Sequence, residues 1–394
     1  MIEGCDFVVQ YTYKTDDVFE LDTNQSPSNR NDAVIYEIMH MDKVVASIST
    51  YGEAEILDAQ FMPYDLFFEE ADGFDNRMDN LNGFLHWCAS RILTLDRKYA
   101  KEILNSIGAP QSITDRERAE ISMSFHCVSL TDVYWTRERG ETISFADLNL
   151  YDNPLEEAIV EVSLQGRNLT VTNKELTVQD FAPDLSTRGC FPKAWIRTDR
   201  GFLLLKDGGA EVVKKEVLAS QICQCFDVPQ VEYWEHTFDG QPVSACELVT
   251  SKEHSMISKK AFEIFALNNG LDVIDECIAL DAITYYGMNI LDYLIGNTDR
   301  HMENWGVLID NATNKPLRLY PLMDFNQSFL SYDNLDGAIC LTVNGRMTQR
   351  EAAIDAVKHI GLRQLRNIDM SIFAGMDKEA EMFTQRMTEL LKYV

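Results

Sequence analysis

The chain has 394 residues, 45 % of them apolar and 25 % charged, enough for two or three domains with a large core. Its formal net charge of −28 repels phosphate backbones and argues against direct, non-specific nucleic-acid binding. No apolar run approaches the roughly 18 residues that span a bilayer, no signal peptide is recognisable, and the nine cysteines form no CxxC pair, so a soluble cytoplasmic protein with reduced thiols and no membrane partner is expected.

Residues 33–63, "AVIYEIMHMDKVVASISTYGEAEILDAQFMP", hold short β-branched runs between turn residues and predict a small β meander. Within 81–108, "LNGFLHWCASRILTL" and "RKYAKEILNSIG" carry apolar residues at helical spacing, with Gly108 and Pro110 as the stop. "SITDRERAEISMSFHCVSL" predicts another helix, N-capped by Ser112 or Thr114. Residues 131–163 are mixed and contain turn signals such as "YDNP". A soft boundary at 155–185 sets off residues 1–155 as an N-terminal extension, a small β meander plus helices.

From residue 190 the pattern sharpens. "KAWIRTDRGFLLLK" is two apolar runs around a hairpin turn at 198–201. "AEVVKKEVLASQICQCF" places Val213, Val217, Ile222 and Phe226 on one side of a helix. "PQVEYWEHTFDGQPVSACELV" is a second hairpin, turning at Asp239 and Gly240. The order is therefore strand, strand, helix, strand, strand. "DECIALDAITYYGMNILDYLIGN", 275–297, predicts one long helix with Ile283, Ile290, Leu291, Leu294 and Ile295 inward, and Tyr285, Tyr286 and Tyr293 in the core. The polar loop "GNTDRHMEN" leads into a strand "WGVLI", a turn "DNATNKP" and a strand "LRLYPLMDF"; residues 349–393 read as helical.

Three polar groups fall at related places. Asp299 and Asn304 flank the loop before one strand, and Asp324 ends the next, so a hairpin would make them converge. Two such side chains supply hard oxygen ligands for Mg²⁺, and a carboxylate left off the metal can take a proton from an incoming hydroxyl. Lys206 ends the strand "GFLLLK", and Glu216 lies in the helix that follows. A strand lysine held by a helix glutamate is the pairing that positions nucleotide phosphates in kinases. "CELVT", with Glu247 and Val249, would connect two lobes and offer backbone groups to an adenine edge.

Each residue has a plainer reading. Asp299 and Asn304 are common turn formers. Lys206 can snorkel from a strand end, and Glu216, among Lys214 and Lys215, can sit on a solvated helix face. Ser186 and Thr187 can be ordinary loop residues, and Glu247 an exposed charge. Arg300 reads as a surface or loop-bracing charge or as a phosphate neutraliser, and His301 as a ligand or acid or, more plainly, as loop support. Neither His236 nor His254 has close metal-type partners, so no zinc site is expected.

The spacing D-x-x-x-x-N followed by M-D-F resembles kinases of the HipA-like group, and the D-R-H-x-x-N loop is similar to that of phosphatidylinositol 3/4-kinases. "LSTRGCFPKAWI" before "LLLK" is close to the HipA-like glycine-containing loop. The resemblance covers roughly residues 160–394; "HCVSLTDVYW" and its flanks at 85–155 resemble, less specifically, the N-terminal extension of some bacterial HipA-domain proteins. It implies an α+β, two-lobed protein-kinase-like fold of the HipA type with an N-terminal α/β extension. The smaller lobe would span 156–250 and the mainly helical larger lobe 251–394, with ATP and Mg²⁺ between them.

By the same resemblance, Asp299 is the catalytic base or substrate-orienting carboxylate, and Asn304 and Asp324 hold Mg²⁺. Lys206 contacts the α/β-phosphates, oriented by Glu216, and Gly189 admits the phosphates to the backbone. Ser186 and Thr187 are autophosphorylation candidates. Two departures are visible against ordinary protein kinases: Gly189 stands alone, and Asp324-Phe325-Asn326 replaces Asp-Phe-Gly. The implied activity is phosphoryl transfer to Ser or Thr of a protein substrate, with a toxin role and an antitoxin or regulatory partner as further implications. A small-molecule or lipid-headgroup kinase and a non-catalytic nucleotide-binding module are the alternatives.

Overall fold

Alternation in "IYEIMH" and "KVVASIS" builds the first sheet. In the computed structural model, which describes residues 33–93, 95, 97–106, 114–153, 163–165, 182–187, 191–199, 201–330 and 334–394, β1 (Ile35–His40), β2 (Lys43–Ser49) and β3 (Ala54–Ile56) form the expected meander. The inward residues Ile38, Val45, Ala46 and Ile48 are fully buried against Phe84 and Trp87 of α1 (Phe74–Ala89). Beyond α2 (Ala100–Ser106), α3 (Asp115–Ser124) begins at a capping box. Thr114 Oγ1 accepts from Glu117 N at 3.2 Å, and Glu117 Oε2 accepts from Thr114 N at 2.7 Å. Ser112, the other candidate cap, and Gly189 lie outside the described residues.

A fourth strand, β4 (Tyr134–Glu138), comes from the stretch that showed no clear period and pairs antiparallel with β1 to give the order β3-β2-β1-β4. Short helical turns follow at α4 (Phe145–Leu148) and α5 (Ala182–Leu185). A second apolar cluster joins Leu93, Trp135 and Leu148 to Ala182, Leu185 and Phe202, so the extension packs directly on the next sheet.

That sheet holds β5 (Lys193–Thr198), β6 (Gly201–Lys206), β7 (Trp234–Phe238) and β8 (Gln241–Glu247) in the order β5-β6-β8-β7, with α6 (Ala210–Cys223) connecting its two hairpins. At the second turn Asp239 has φ 48° and Gly240 φ 73°, the pair of positive angles that a tight two-residue hairpin loop requires.

The third sheet has the order β11-β10-β9 and was only partly expected. β10 (Gly306–Asp310) and β11 (Lys315–Leu319) are the predicted hairpin, but β9 (His254–Ser258) adds an edge strand where no strand pattern was read. α7 (Lys259–Asn268) leads to α8 (Val273–Ile295), which is broken at Asp281 (φ −157°, ψ 77°). Asp281 restarts the helix as a cap: Oδ1 accepts from Thr284 N at 3.0 Å and Oδ2 from Thr284 Oγ1 at 2.7 Å. The break re-phases the helical faces. Ile283 is consequently 40 % exposed rather than buried, whereas Ile290, Leu291, Leu294 and Ile295 are buried as expected. Tyr285 and Tyr293 are buried, and Tyr286 is half-buried with its ring stacked on His359. α9 (Gln349–Ile360) and α10 (Asp377–Leu390) close the largest apolar cluster, which also takes in α6, α8 and β10. Among the described residues the cysteines are free and buried, and no helix is long and apolar enough to cross a membrane.

Candidate active site

β6 ends at Lys206, and α6 packs across the same sheet, so the lysine meets Glu216. Lys206 Nζ lies 2.8 Å from Glu216 Oε1 and 2.8 Å from Asp324 Oδ1. It also sits 4.7 Å from the ring centroid of Tyr233. Glu216 is 1 % exposed and its second oxygen accepts from Ser244 Oγ, so it is not on a solvated face. Burial alone would lower the Lys206 pKa, but Asp324 and Glu216 hold it well above its usual value. Burial likewise pushes Asp324 up, yet Lys206 and Lys193 outweigh it and keep this carboxyl far below the usual range. Lys206 and Asp324 therefore each favour the other's charged form inside a buried network that Glu216 completes.

Asp324 reaches it by a route the sequence did not show. β11 stops at Leu319; the chain then makes an isolated bridge between Leu322 and Gln230, and Asp324 itself takes a left-handed φ of 60°. Its backbone N donates to Tyr233 Oη at 3.1 Å. The carboxylate thus belongs to a turn beyond the hairpin, not to a strand end.

Arg300 holds the polar loop against that turn. It is 3 % exposed, with Nε 2.8 Å from Asp292 Oδ2 and Nη2 2.9 Å from Asp292 Oδ1. Its Nη1 donates to Asn304 O at 2.8 Å and also to Met323 O. Of its three readings, bracing is the one observed. Asn304 Nδ2 donates to Asp299 O at 2.7 Å, and His301 Nδ1 accepts from Glu303 N at 3.2 Å, supporting the turn. Asp299 is half-buried; burial raises its pKa, His301 opposes the rise and Asp324 adds to it.

Lys206, Asp299, Asn304, Asp324, Ser186, Thr187 and Glu247 all line one cavity of about 580 Å³. Val249 is not among its lining residues and packs instead against the large apolar cluster. Leu248 N donates to Phe202 O at 3.1 Å, so that donor belongs to the sheet. The opposite wall comes from the extension, through Tyr64, Trp87, Arg91 and Asp132.

No family model matches the sequence, and no curated protein matches it. Among solved structures, HipA of a Shewanella oneidensis MR-1 toxin–antitoxin system, determined with HipB and its operator DNA, aligns with a TM-score of 0.50 at 12 % identity, covering 91 % of each chain. The fold is that of the HipA-type kinases. The proinflammatory kinase CtkA of Helicobacter pylori also aligns, with a TM-score of 0.42 at 15 % identity, covering 51 % of this chain and 92 % of that one.

Within this HipA-type fold the two candidate loop hydroxyls are engaged. Ser186 Oγ donates to Pro183 O at 3.2 Å and Thr187 Oγ1 to the same oxygen at 2.5 Å, while Trp195 Nε1 donates to Thr187 Oγ1 at 3.0 Å. Arg97 of the extension donates to both Thr187 O and Lys193 O. Lys193, the lysine of the Pro-Lys that follows Gly189 in the HipA-like loop pattern, carried no assigned role in the sequence. It is 7 % exposed, lines the cavity and pairs directly with Lys206 across β5 and β6. Burial brings its pKa down to about 8, with Asp324 opposing the fall. The signal was present: in an antiparallel pair, directly opposed residues project to the same face.

Among the described residues no three His, Cys, Asp or Glu side chains gather as a metal site. Among the groups lining the cleft are the Asp324 carboxylate and the Asn304 amide, whose nitrogen donates to Asp299 O and whose oxygen is left as an acceptor. A carboxylate and an amide oxygen fit Mg²⁺, which commonly keeps waters and draws its other ligands from substrate phosphates.

Proposed function

We propose that this chain is an ATP- and Mg²⁺-dependent kinase that transfers the γ-phosphoryl group to a Ser or Thr hydroxyl of a protein. The observation that carries the reading is the Lys206–Glu216–Asp324 network at the mouth of the Asp299 loop. In it, a lysine kept charged by two carboxylates can turn from Asp324 to nucleotide phosphates while Glu216 still holds it. Asn304 and Asp324 would hold Mg²⁺, which when bound neutralises charge on the phosphate oxygens. Asp299, off that pair and with its pKa raised, orients the acceptor hydroxyl and takes its proton. Arg300, locked to Asp292, keeps the loop from relaxing as charge moves.

The aligned HipA belongs to a toxin–antitoxin system and was determined with HipB and DNA. We extend to this chain a toxin role with an antitoxin partner; its charge of −28 assigns any DNA contact to that partner. Millimolar ATP·Mg²⁺ should raise the unfolding temperature of the wild type but not of Asp324→Ala. Equal stabilisation of both proteins would remove Asp324 from the nucleotide site, and none in either would remove the nucleotide.

A further inference from the structure

Asn326 stands two residues beyond Asp324, where the more familiar kinase motif has glycine. It is 8 % exposed and lines the cavity with Asn304 and Asp324. Its Oδ1 is buried and has no hydrogen-bond partner. Of the described residues with a buried, unpaired side-chain nitrogen or oxygen, Asn326 alone lines this cavity. Buried polar atoms are nearly always paired, so an orphan beside a candidate ion site points to an ion or a water as the missing partner.

The backbone gives no other reason for the residue. Asparagine is favoured at left-handed positions, but the left-handed residue here is Asp324, and Asn326 does not have a positive φ. Phe325 between them is fully buried, and the guanidinium of Arg300 holds Met323 O just before them. The segment is thus fixed by packing on one side and by a buried cation on the other. An alanine there would remove the orphaned oxygen without demanding a new backbone conformation.

We propose that Asn326 is a third protein ligand of the divalent cation, its amide oxygen joining Asn304 and Asp324. The proposal rests on the kinase reading above, in which the cation is bound together with nucleotide phosphates. Two amide oxygens and one carboxylate make a hard donor set that selects Mg²⁺ or Mn²⁺ over thiolate-seeking metals.

The test uses Mn²⁺ as the probe. Its binding to the full chain, in the presence of a non-hydrolysable ATP analogue, is followed by loss of the free-ion electron paramagnetic resonance signal. Asn326→Ala should weaken Mn²⁺ binding by at least the roughly tenfold that losing an outer-shell partner costs. Asn326→Asp should bind as tightly as the wild type or tighter. Analogue binding measured in EDTA should be the same for all three proteins. Wild-type affinity in Asn326→Ala, or loss of Mn²⁺ in a folded Asn326→Asp, overturns the proposal and leaves the kinase reading standing. Absence of analogue-dependent Mn²⁺ binding in the wild type overturns both.

Discussion

The two walls of the cleft bury charge in different ways. On the extension side, Arg91 and Asp132 form a bidentate pair, with Nη1–Oδ2 at 3.0 Å and Nη2–Oδ1 at 2.7 Å. The guanidinium also donates to Cys127 O and Tyr134 O, and Asp132 Oδ1 accepts from Tyr134 N. These contacts close on the extension itself and serve its architecture. On the kinase-fold side, Lys206 is shared between two carboxylates, and no hydrogen bond among the described residues ends on Asn326 Oδ1. Unused capacity, rather than burial of charge, marks the wall where chemistry is expected.

That contrast breaks most visibly in activity. Asp299→Asn should cut phosphoryl transfer by about 10²–10⁴-fold, the usual worth of a positioned acid or base, with ATP affinity and unfolding temperature nearly unchanged. Turnover and ATP titration on the same preparation check it; an equal loss of ATP binding would reassign Asp299 to the nucleotide. Arg91→Ala should do the reverse. Stranding Asp132 should cost about 3–5 kcal/mol in denaturant unfolding, with little change in turnover per folded molecule. A large turnover defect in that variant would erase the distinction between the walls.

Acid should destabilise the extension by a defined amount. His40 is 4 % exposed, packed between Phe61 and Tyr134, and burial lowers its pKa to about 4. Its pKa of about 6.5 in the unfolded chain is the higher one, so the unfolded state takes up the proton first as pH falls. This contribution is intact above about pH 6.5 and is lost progressively towards pH 4, for a total of about 3 kcal/mol. His40→Phe should flatten that part of the stability–pH curve; an unchanged slope would place the sensitivity elsewhere. The smallest effect is expected from Tyr64→Phe, which removes one hydrogen bond from Tyr64 Oη to Asn314 O, 2.8 Å, between extension and hairpin turn. About 1 kcal/mol of stability should go, with no change in turnover.

Much of the site-bearing architecture was legible because it is local. The two hairpins around one helix follow from apolar runs, turn residues and helical spacing, and they bring Lys206 to Glu216 without further information. What escaped depends on contacts distant in sequence. β4 and β9 are short strands recognisable only by the strands they join, β1 and β10. The break at Asp281 lies inside an otherwise uniform apolar pattern, and it moved Ile283 to the surface. Asp324 was placed in the right company by the wrong path, since its left-handed turn has no glycine to announce it. Lys193 stood in the loop motif without a role because cross-strand register, not spacing along the chain, sets it opposite Lys206.

Movement of a phosphoryl group at the kinase-fold wall separates an enzyme from a binding module. Phosphosite mass spectrometry of the purified chain and of an added cell lysate, after incubation with ATP and Mg²⁺, tests this directly with Asp299→Asn as the matched control. New phosphoserine or phosphothreonine is expected with the wild type and its near absence with the variant. No transfer by the wild type, or equal transfer by both, would contradict the kinase reading.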